Sequence, residues 1–209
     1  MANLATCNGT LSRRKAQETA SSYLRDFSKL LARVNVEAVA RVVERLRIAR
    51  DSGATLYVAG NGGSASTATH LANDLGKATK RSDCKPVRVL SLSDNVSWFT
   101  ALANDEGFER VFVGQLENLA KPGDVLIVIS ASGNSPNLVA AVDFARANDL
   151  VSIGMLGFDG GTLKDQVDEC LWVESDKGAY GPVESAHSLL GHVLTMCLLR
   201  EPPAEEERA

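Results

Sequence analysis

The sequence is short of cysteines, of net charge and of long apolar runs, and each shortage excludes a class of protein. The net charge of the 209 residues is −4. A weakly acidic chain has no electrostatic reason to bind nucleic acid or an anionic membrane, so we expect neither as a partner. The cysteine spacing fits no paired-cysteine metal motif, and we expect free thiols rather than a disulfide framework. The cysteines are Cys7, Cys84, Cys170 and Cys197.

No apolar run approaches the roughly 18 residues that a membrane-spanning helix needs, so we expect no such helix. Residues 1–12 are small and polar, which argues against a secretory signal. We therefore expect a cytoplasmic protein.

What the sequence does contain is an alternation of helical and strand-like patterns. Apolar positions three and four residues apart predict two amphipathic helices, at 12–34 and 36–52. Five runs rich in valine, isoleucine and leucine follow, at 55–60, 87–92, 124–130, 151–157 and 168–174. Helix-like segments lie at 64–80, 108–120, 136–148, 162–166 and 182–200. Buried strands separated by helices predict an α/β fold, a three-layer α/β/α sandwich with a five-stranded parallel sheet, preceded by two N-terminal helices.

The 44% hydrophobic content suits one domain over residues 1–209. We divide it into a helical extension (1–53), an α/β core (54–200) and a frayed, charged tail (201–209). Two helices alone bury little surface, so we expect the extension to pack on another subunit. Packing on the sheet of the same chain is the alternative.

Two of the predicted strands end in turns rich in glycine and serine, GNGGS (60–64) and SASGNS (130–135). In an open parallel sheet, ligands bind beyond the carboxyl ends of the strands. Ser135 followed by Pro136 is a strong signal for a helix start, where free N–H groups and the helix dipole favour an anion. Serine hydroxyls could complete a phosphate site without a lysine. Neither turn is a Walker loop or a GxGxxG motif.

All three histidines lie on two predicted helices, with carboxylates near them. His70 and Asp74 are four residues apart and share a helix face. Glu184 and His192 lie on the last helix, about 80° apart around its axis. These four side chains suit a divalent metal such as zinc, and they suit proton transfer equally well. The third histidine, His187, is about 140° from His192 and is expected to do a different job.

Four motifs in this order, GNGGS, HxxND, SxSGNS and ExxHxxxxH, resemble the sugar isomerase (SIS) fold, which is flavodoxin-like. Within that fold the chain is most similar to phosphoheptose isomerases, which interconvert sedoheptulose 7-phosphate and a heptose 7-phosphate. The resemblance implies an aldose–ketose isomerase that works through an enediolate. It also implies a homotetramer with active sites at subunit interfaces and one zinc ion per subunit.

The resemblance also assigns roles to individual residues. It makes Asp74 and His192 the catalytic acid/base pair. It places zinc on His70, Asp74, Glu184 and His192. It places the substrate, with its phosphate on the serine turns, on Asn61, Gly62, Ser64, Asp94, Asn95, Ser130, Ser132, Asn134, Ser135 and Glu184.

Some positions depart from the family pattern. Aspartate stands at 74 and glutamate at 184, where glutamate and glutamine are usual, and Ala131 lacks a hydroxyl. These departures indicate a divergent branch, and they leave open another long-chain ketose phosphate such as an octulose phosphate. A non-catalytic phosphosugar-binding or partner-binding protein of the same fold is the other alternative.

Overall fold

The five apolar runs form one parallel sheet in the computed structural model, which describes residues 12–200. Every strand lies within two residues of its predicted bounds. The strands are β1 (Thr55–Gly60), β2 (Arg88–Ser91), β3 (Val125–Ser130), β4 (Val151–Leu156) and β5 (Glu169–Trp172). Their order in the sheet is β2-β1-β3-β4-β5, and all neighbours pair in parallel. The predicted fold class is therefore confirmed.

Within residues 12–200, seven α-helices surround the sheet. They are α1 (Arg13–Leu31), α2 (Val36–Ser52), α3 (Gly63–Asn73), α4 (Val96–Asp105), α5 (Val113–Leu119), α6 (Pro136–Ala147) and α7 (Tyr180–Leu199). A π-helical turn, Asp74–Ala78, continues α3, and short 3-10 turns cover Phe108–Arg110 and Thr162–Asp165.

The alternation of side chains along β3 produces the three layers. Val125, Ile127 and Ile129 belong to the apolar cluster shared with α2, α3 and α7. Leu126 and Val128 point to the other face, into the cluster shared with α4, α5 and α6. A strand that is apolar at every position must be covered on both faces, and this explains its continuous hydrophobic sequence.

The two leading helices behave differently from each other. Helix α2 begins at its cap Asn35 and ends at Gly53, whose φ of +80° suits glycine. Its buried side chains, including Val42 and Leu46, join the core of the sheet, so α2 packs on its own chain. In α1, by contrast, Leu30 is the one buried residue out of 19. The expectation of packing on another subunit therefore concerns α1 alone.

One helix is missing from the sequence prediction. Residues Val96–Asp105 form α4, and the helix predicted over 108–120 is a 3-10 turn followed by the shorter α5. The signal for α4 was Asn95, whose side chain accepts the N–H of Trp98 as an N-cap.

Three cysteines are free thiols, as predicted: Cys84, Cys170 and Cys197. Cys7 and the tail predicted to fray lie outside the described residues. Across residues 12–200, none of the helices combines the length and the apolar character needed to span a bilayer.

Candidate active site

The sheet order brings the two serine-rich turns together. Strands β1 and β3 are neighbours, although the chain leaves β1 towards β2 and leaves β3 towards β4. This reversal makes the crevice beyond their carboxyl ends the expected ligand site of the sheet. A reciprocal pair of hydrogen bonds between the side-chain amides of Asn61 and Asn137, both 2.9 Å long, ties the first turn to the start of α6.

The turn after β3 presents hydroxyl groups that can donate to an anion. The buried Ser130 Oγ accepts the N–H of Gly133, and Ser132 Oγ accepts the N–H of Asn134. A hydroxyl that accepts one hydrogen bond still has its own proton to donate. Ser135 is the N-cap residue of α6, as predicted, and its side chain makes no capping hydrogen bond, so that hydroxyl is also available.

The segment that follows β4 packs against this turn and fixes its position. At Gly133, with a φ of +64°, a Cβ atom would lie 1.9 Å from the carbonyl oxygen of Gly160. The side-chain oxygen of Asn134 accepts both the N–H and the hydroxyl of Thr162, and its amide donates to the Ser132 carbonyl. The asparagines at 61 and 134, expected to bind substrate, therefore have their side-chain groups engaged in bracing the turns.

The first turn leads directly into α3. Gly62 has a φ of +55°, and Ser64 is buried in the first turn of the helix. Helix α3 has no side-chain N-cap. The Glu184 carboxylate packs against Gly63 instead, so closely that a Cβ atom there would lie 2.4 Å from Oε2. A carboxylate at a helix N-terminus interacts favourably with the helix dipole.

His70, Asp74 and His192 converge at the other end of α3. Asp74 Oδ2 lies 3.4 Å from His70 Nε2 and 3.6 Å from His192 Nε2, and the two imidazole nitrogens are 3.4 Å apart. Within residues 12–200, this is the one group of histidine, cysteine and acidic side chains spaced to hold a metal ion. Four tetrahedral ligands about 2.0–2.1 Å from a zinc ion are roughly 3.4 Å apart, which matches this triangle.

Glu184, expected as the fourth ligand, lies outside this cluster. Helix α7 runs beside α3 in the same direction, because Glu184 contacts Gly63 while His192 contacts His70. Eight residues of helix advance by about 12 Å, so Glu184 and His192 lie at opposite ends of the contact. The sequence pattern grouped Glu184 with His192 as ligands, and the rise along the helix axis separates the two side chains.

The third histidine has a structural position. His187 is fully buried on α7, and neither ring nitrogen has a hydrogen-bond partner. Burial lowers its pKa to about 4, and the nearby Leu156 carbonyl partly offsets this shift by favouring the charged ring. His187 is therefore neutral at pH 7 and lies outside the metal-type cluster, as its different position around the helix suggested.

Asp94 and Asn95 lie in the loop after β2. The side-chain oxygen of Asn95 is engaged as the cap of α4. Asp94 is exposed, and its Oδ1 accepts a short hydrogen bond from the Thr69 hydroxyl on α3. The motifs singled out neither Thr69 nor Asn137. Their side chains hydrogen-bond to Asp94 and Asn61, which the resemblance assigns to the substrate, and such contacts carry no signal in a single sequence.

The comparisons with known proteins agree with this fold. A family model described as SIS domain matches residues 22–157. A probable phosphoheptose isomerase of Thermoplasma acidophilum is 39% identical over 158 residues, covering 75% of this chain and 86% of that protein. The phosphoheptose isomerase of Trichlorobacter lovleyi is 38% identical over 181 residues, covering 85% and 91%. The structure of a phosphoheptose isomerase from Francisella tularensis matches with a TM-score of 0.81 at 26% identity, over 89% of this chain and 99% of that one.

Proposed function

The chain belongs to the SIS domain family and, within it, to the phosphoheptose isomerases, and we propose that it interconverts sedoheptulose 7-phosphate and D-glycero-D-manno-heptose 7-phosphate. The cluster of His70, Asp74 and His192 is the observation that carries this proposal. A protein that only bound a phosphosugar would need the serine turns, and it would not need two imidazoles and a carboxylate within 3.6 Å of one another.

The phosphate is bound by neutral groups in this proposal. The hydroxyls of Ser130, Ser132 and Ser135 donate to its oxygens, and the N-terminus of α6 adds free N–H groups and the favourable end of its dipole. Ser64, at the start of α3, contributes from the neighbouring turn. Anchoring the phosphate lets binding energy orient the reacting carbons at the far end of the sugar.

The reaction moves a proton between C1 and C2 through an enediolate. We assign this transfer to Asp74 and His192, one taking the proton from carbon and the other serving the oxygens. Asp74 is half-buried between the two imidazoles, and its Oδ1 accepts a hydrogen bond of 3.1 Å from Asn73. These contacts fix the carboxylate beside His192, so the two groups can act on adjacent atoms.

His70, Asp74 and His192 would also hold a divalent cation, and their spacing fits zinc. Zinc held by these residues would supply Lewis-acid chemistry, polarising the carbonyl and hydroxyl oxygens of the substrate. A carboxylate bound to zinc is a poorer base, so firm coordination would shift the base role from Asp74 to His192 or Glu184. Glu184 lies about two helical turns away on the same side of α3, and we assign it to a substrate hydroxyl. Its expected role as a fourth ligand would require the side chain to turn from Gly63 towards the cluster.

We further propose a cytoplasmic homotetramer with active sites at subunit interfaces. The apolar side chains of Leu189, Met196 and Leu199 are exposed on the face of α7 that carries His192. Helix α1 exposes Tyr23 and Leu24. A second copy packed on these helices would cover apolar surface and would enclose the cluster.

The test is turnover of sedoheptulose 7-phosphate, with proton exchange at C2 followed in deuterated water. We expect Asp74→Asn and His192→Ala to lose about 10²–10⁴ in kcat and to keep the wild-type circular dichroism spectrum. Asp143→Asn, the same change at an exposed position on α6, should leave kcat unchanged. Wild-type turnover in either site variant would remove that residue from the reaction.

A further inference from the structure

One threonine of α3 makes a different hydrogen bond from the other threonines on the described α-helices. Five threonine hydroxyls, four on α-helices and one directly after the π-helical turn, donate to the backbone carbonyl four residues earlier, the usual arrangement for threonine inside a helix. They belong to Thr19, Thr67, Thr79, Thr100 and Thr195. The hydroxyl of Thr69 instead leaves its helix and donates to Oδ1 of Asp94, in the loop after β2.

The hydrogen-bond directions around Thr69 follow from proton counting. The Thr69 hydroxyl donates to Oδ1 of Asp94, so its single proton is used in this bond. Ser91 Oγ lies 3.5 Å from Thr69 Oγ1, and at that contact Ser91 must be the donor. Ser91 Oγ also accepts the N–H of Ser93, whose own hydroxyl donates to the Gly60 carbonyl. A directed chain therefore runs from the loop after β2 through Thr69 to Asp94, and adjacent hydrogen bonds of this kind strengthen one another.

The position of Thr69 connects Asp94 to the reacting end of the site. Thr69 directly precedes His70, and about 100° of rotation separates the two side chains. One therefore faces the loop after β2, while the other faces α7. Asp94 uses Oδ1 for Thr69, and within the described chain no hydrogen bond is made to Oδ2. The same turn of α3 thus fixes both a free carboxylate oxygen and a member of the His70–Asp74–His192 cluster.

We propose that Thr69 is a positioning residue that aims the free oxygen of Asp94 at a hydroxyl of the sugar and fixes its distance from the cluster. The inference rests on the proposed function, in which Asp94 contacts the sugar. Thr69 acts through Asp94 and touches neither the phosphate nor the reacting carbons.

The experiment compares Thr69→Val, which keeps the shape and removes the hydroxyl, with Thr69→Ser, which keeps a donor. We expect Thr69→Val to raise the KM for sedoheptulose 7-phosphate about three- to tenfold with kcat within twofold of wild type. Thr69→Ser should restore the wild-type KM. The matched control is Thr100→Val, which should have no effect on KM. Thr100 is an exposed threonine on α4, and its hydroxyl donates within its own helix.

A double variant shows whether Thr69 acts through Asp94. Adding Thr69→Val to Asp94→Ala should raise KM no further than Asp94→Ala alone, because the group that Thr69 positions has gone. Additive increases in KM, or an unchanged KM in Thr69→Val, would overturn the inference and leave the proposed function standing.

Calorimetric binding separates the two proposals further. Thr69→Val should weaken binding of sedoheptulose 7-phosphate and leave binding of inorganic phosphate unchanged, whether or not the protein turns the sugar over. Equal weakening of both ligands would overturn the positioning role. Wild-type protein that binds no sugar phosphate would overturn both proposals.

Discussion

At the scale of single residues, the two ends of the site use side chains of different chemistry. The proposed phosphate end has hydroxyls and backbone N–H groups, whereas the proposed reacting end has two imidazoles and one carboxylate. Hydroxyls are neutral donors, so they bind a phosphate without a charged lysine or arginine beside it. This favours release of the product. The sequence predicted both sets from residue type and spacing. For the reacting end, His70 and Asp74 are four residues apart and share a helix face wherever α3 lies.

Ser135 provides a direct test of the phosphate end. Its hydroxyl is not needed to cap α6, so Ser135→Ala should leave the free energy of unfolding almost unchanged. The KM for the phosphosugar should rise by about 10- to 100-fold, because a hydrogen bond to a charged group contributes about 1.5–3 kcal/mol. Steady-state kinetics and urea unfolding on the same preparation measure the two effects.

The contrasting control is a residue that does cap its helix. Asn35 accepts the N–H groups of Glu37 and Ala38 at the start of α2. Asn35→Ala should cost about 1 kcal/mol of unfolding free energy and leave KM unchanged. If Ser135→Ala behaved like Asn35→Ala, the serine would be structural.

At the scale of elements, the sheet was predictable and the contacts between helices were not. Apolar runs mark all five strands, and all five lie where the sequence places them. The central strands β1, β3 and β4 are buried on both faces, whereas the edge strands β2 and β5 are partly exposed. The position of Glu184 depends on the direction in which α7 passes α3, which is a tertiary property. Helix α4 was missed for a related reason: its start signal, Asn95, was assigned to the substrate.

The packing of α7 on the sheet predicts a pH dependence of stability. His187 has a pKa of about 4 in the folded protein and an ordinary value of 6.5 when unfolded. Between these values the unfolded chain binds a proton that the folded chain does not, so stability falls as the pH falls from 6.5 towards 4. Lowering the pH from 7 to 5 should cost about 2 kcal/mol through this histidine.

Substitution of His187 isolates its contribution from those of the exposed histidines. His187→Phe keeps a planar ring in a site where neither nitrogen is hydrogen-bonded, and it should remove about 2 kcal/mol of the loss between pH 7 and pH 5. Ser188→Ala, on the same helix, should keep the wild-type dependence. Urea unfolding at the two pH values measures this, and an unchanged dependence in His187→Phe would show that another group is responsible.

At the scale of the whole molecule, part of the exposed apolar surface lies on α7, on the face that carries His192. Leu189, Met196 and Leu199 recur at helical spacing on the face of α7 that includes His192. The sequence pattern marks these positions as apolar but does not say what covers them. A surface that is apolar around an ionisable cluster suits an interface that shields the reaction from water.

Met196→Glu tests this arrangement, because a charge in the middle of the apolar face should prevent a second copy from packing there. We expect the wild-type chain to sediment as a tetramer and Met196→Glu as a smaller species, with turnover reduced at least tenfold while the circular dichroism spectrum is retained. Val36→Glu places the same charge at an apolar position that is 74% exposed on α2, and it should remain tetrameric and active. Analytical ultracentrifugation and activity on matched samples distinguish the outcomes. A tetrameric Met196→Glu would exclude this face of α7 from the interface, and a monomeric, fully active wild type would show that one chain holds the complete site.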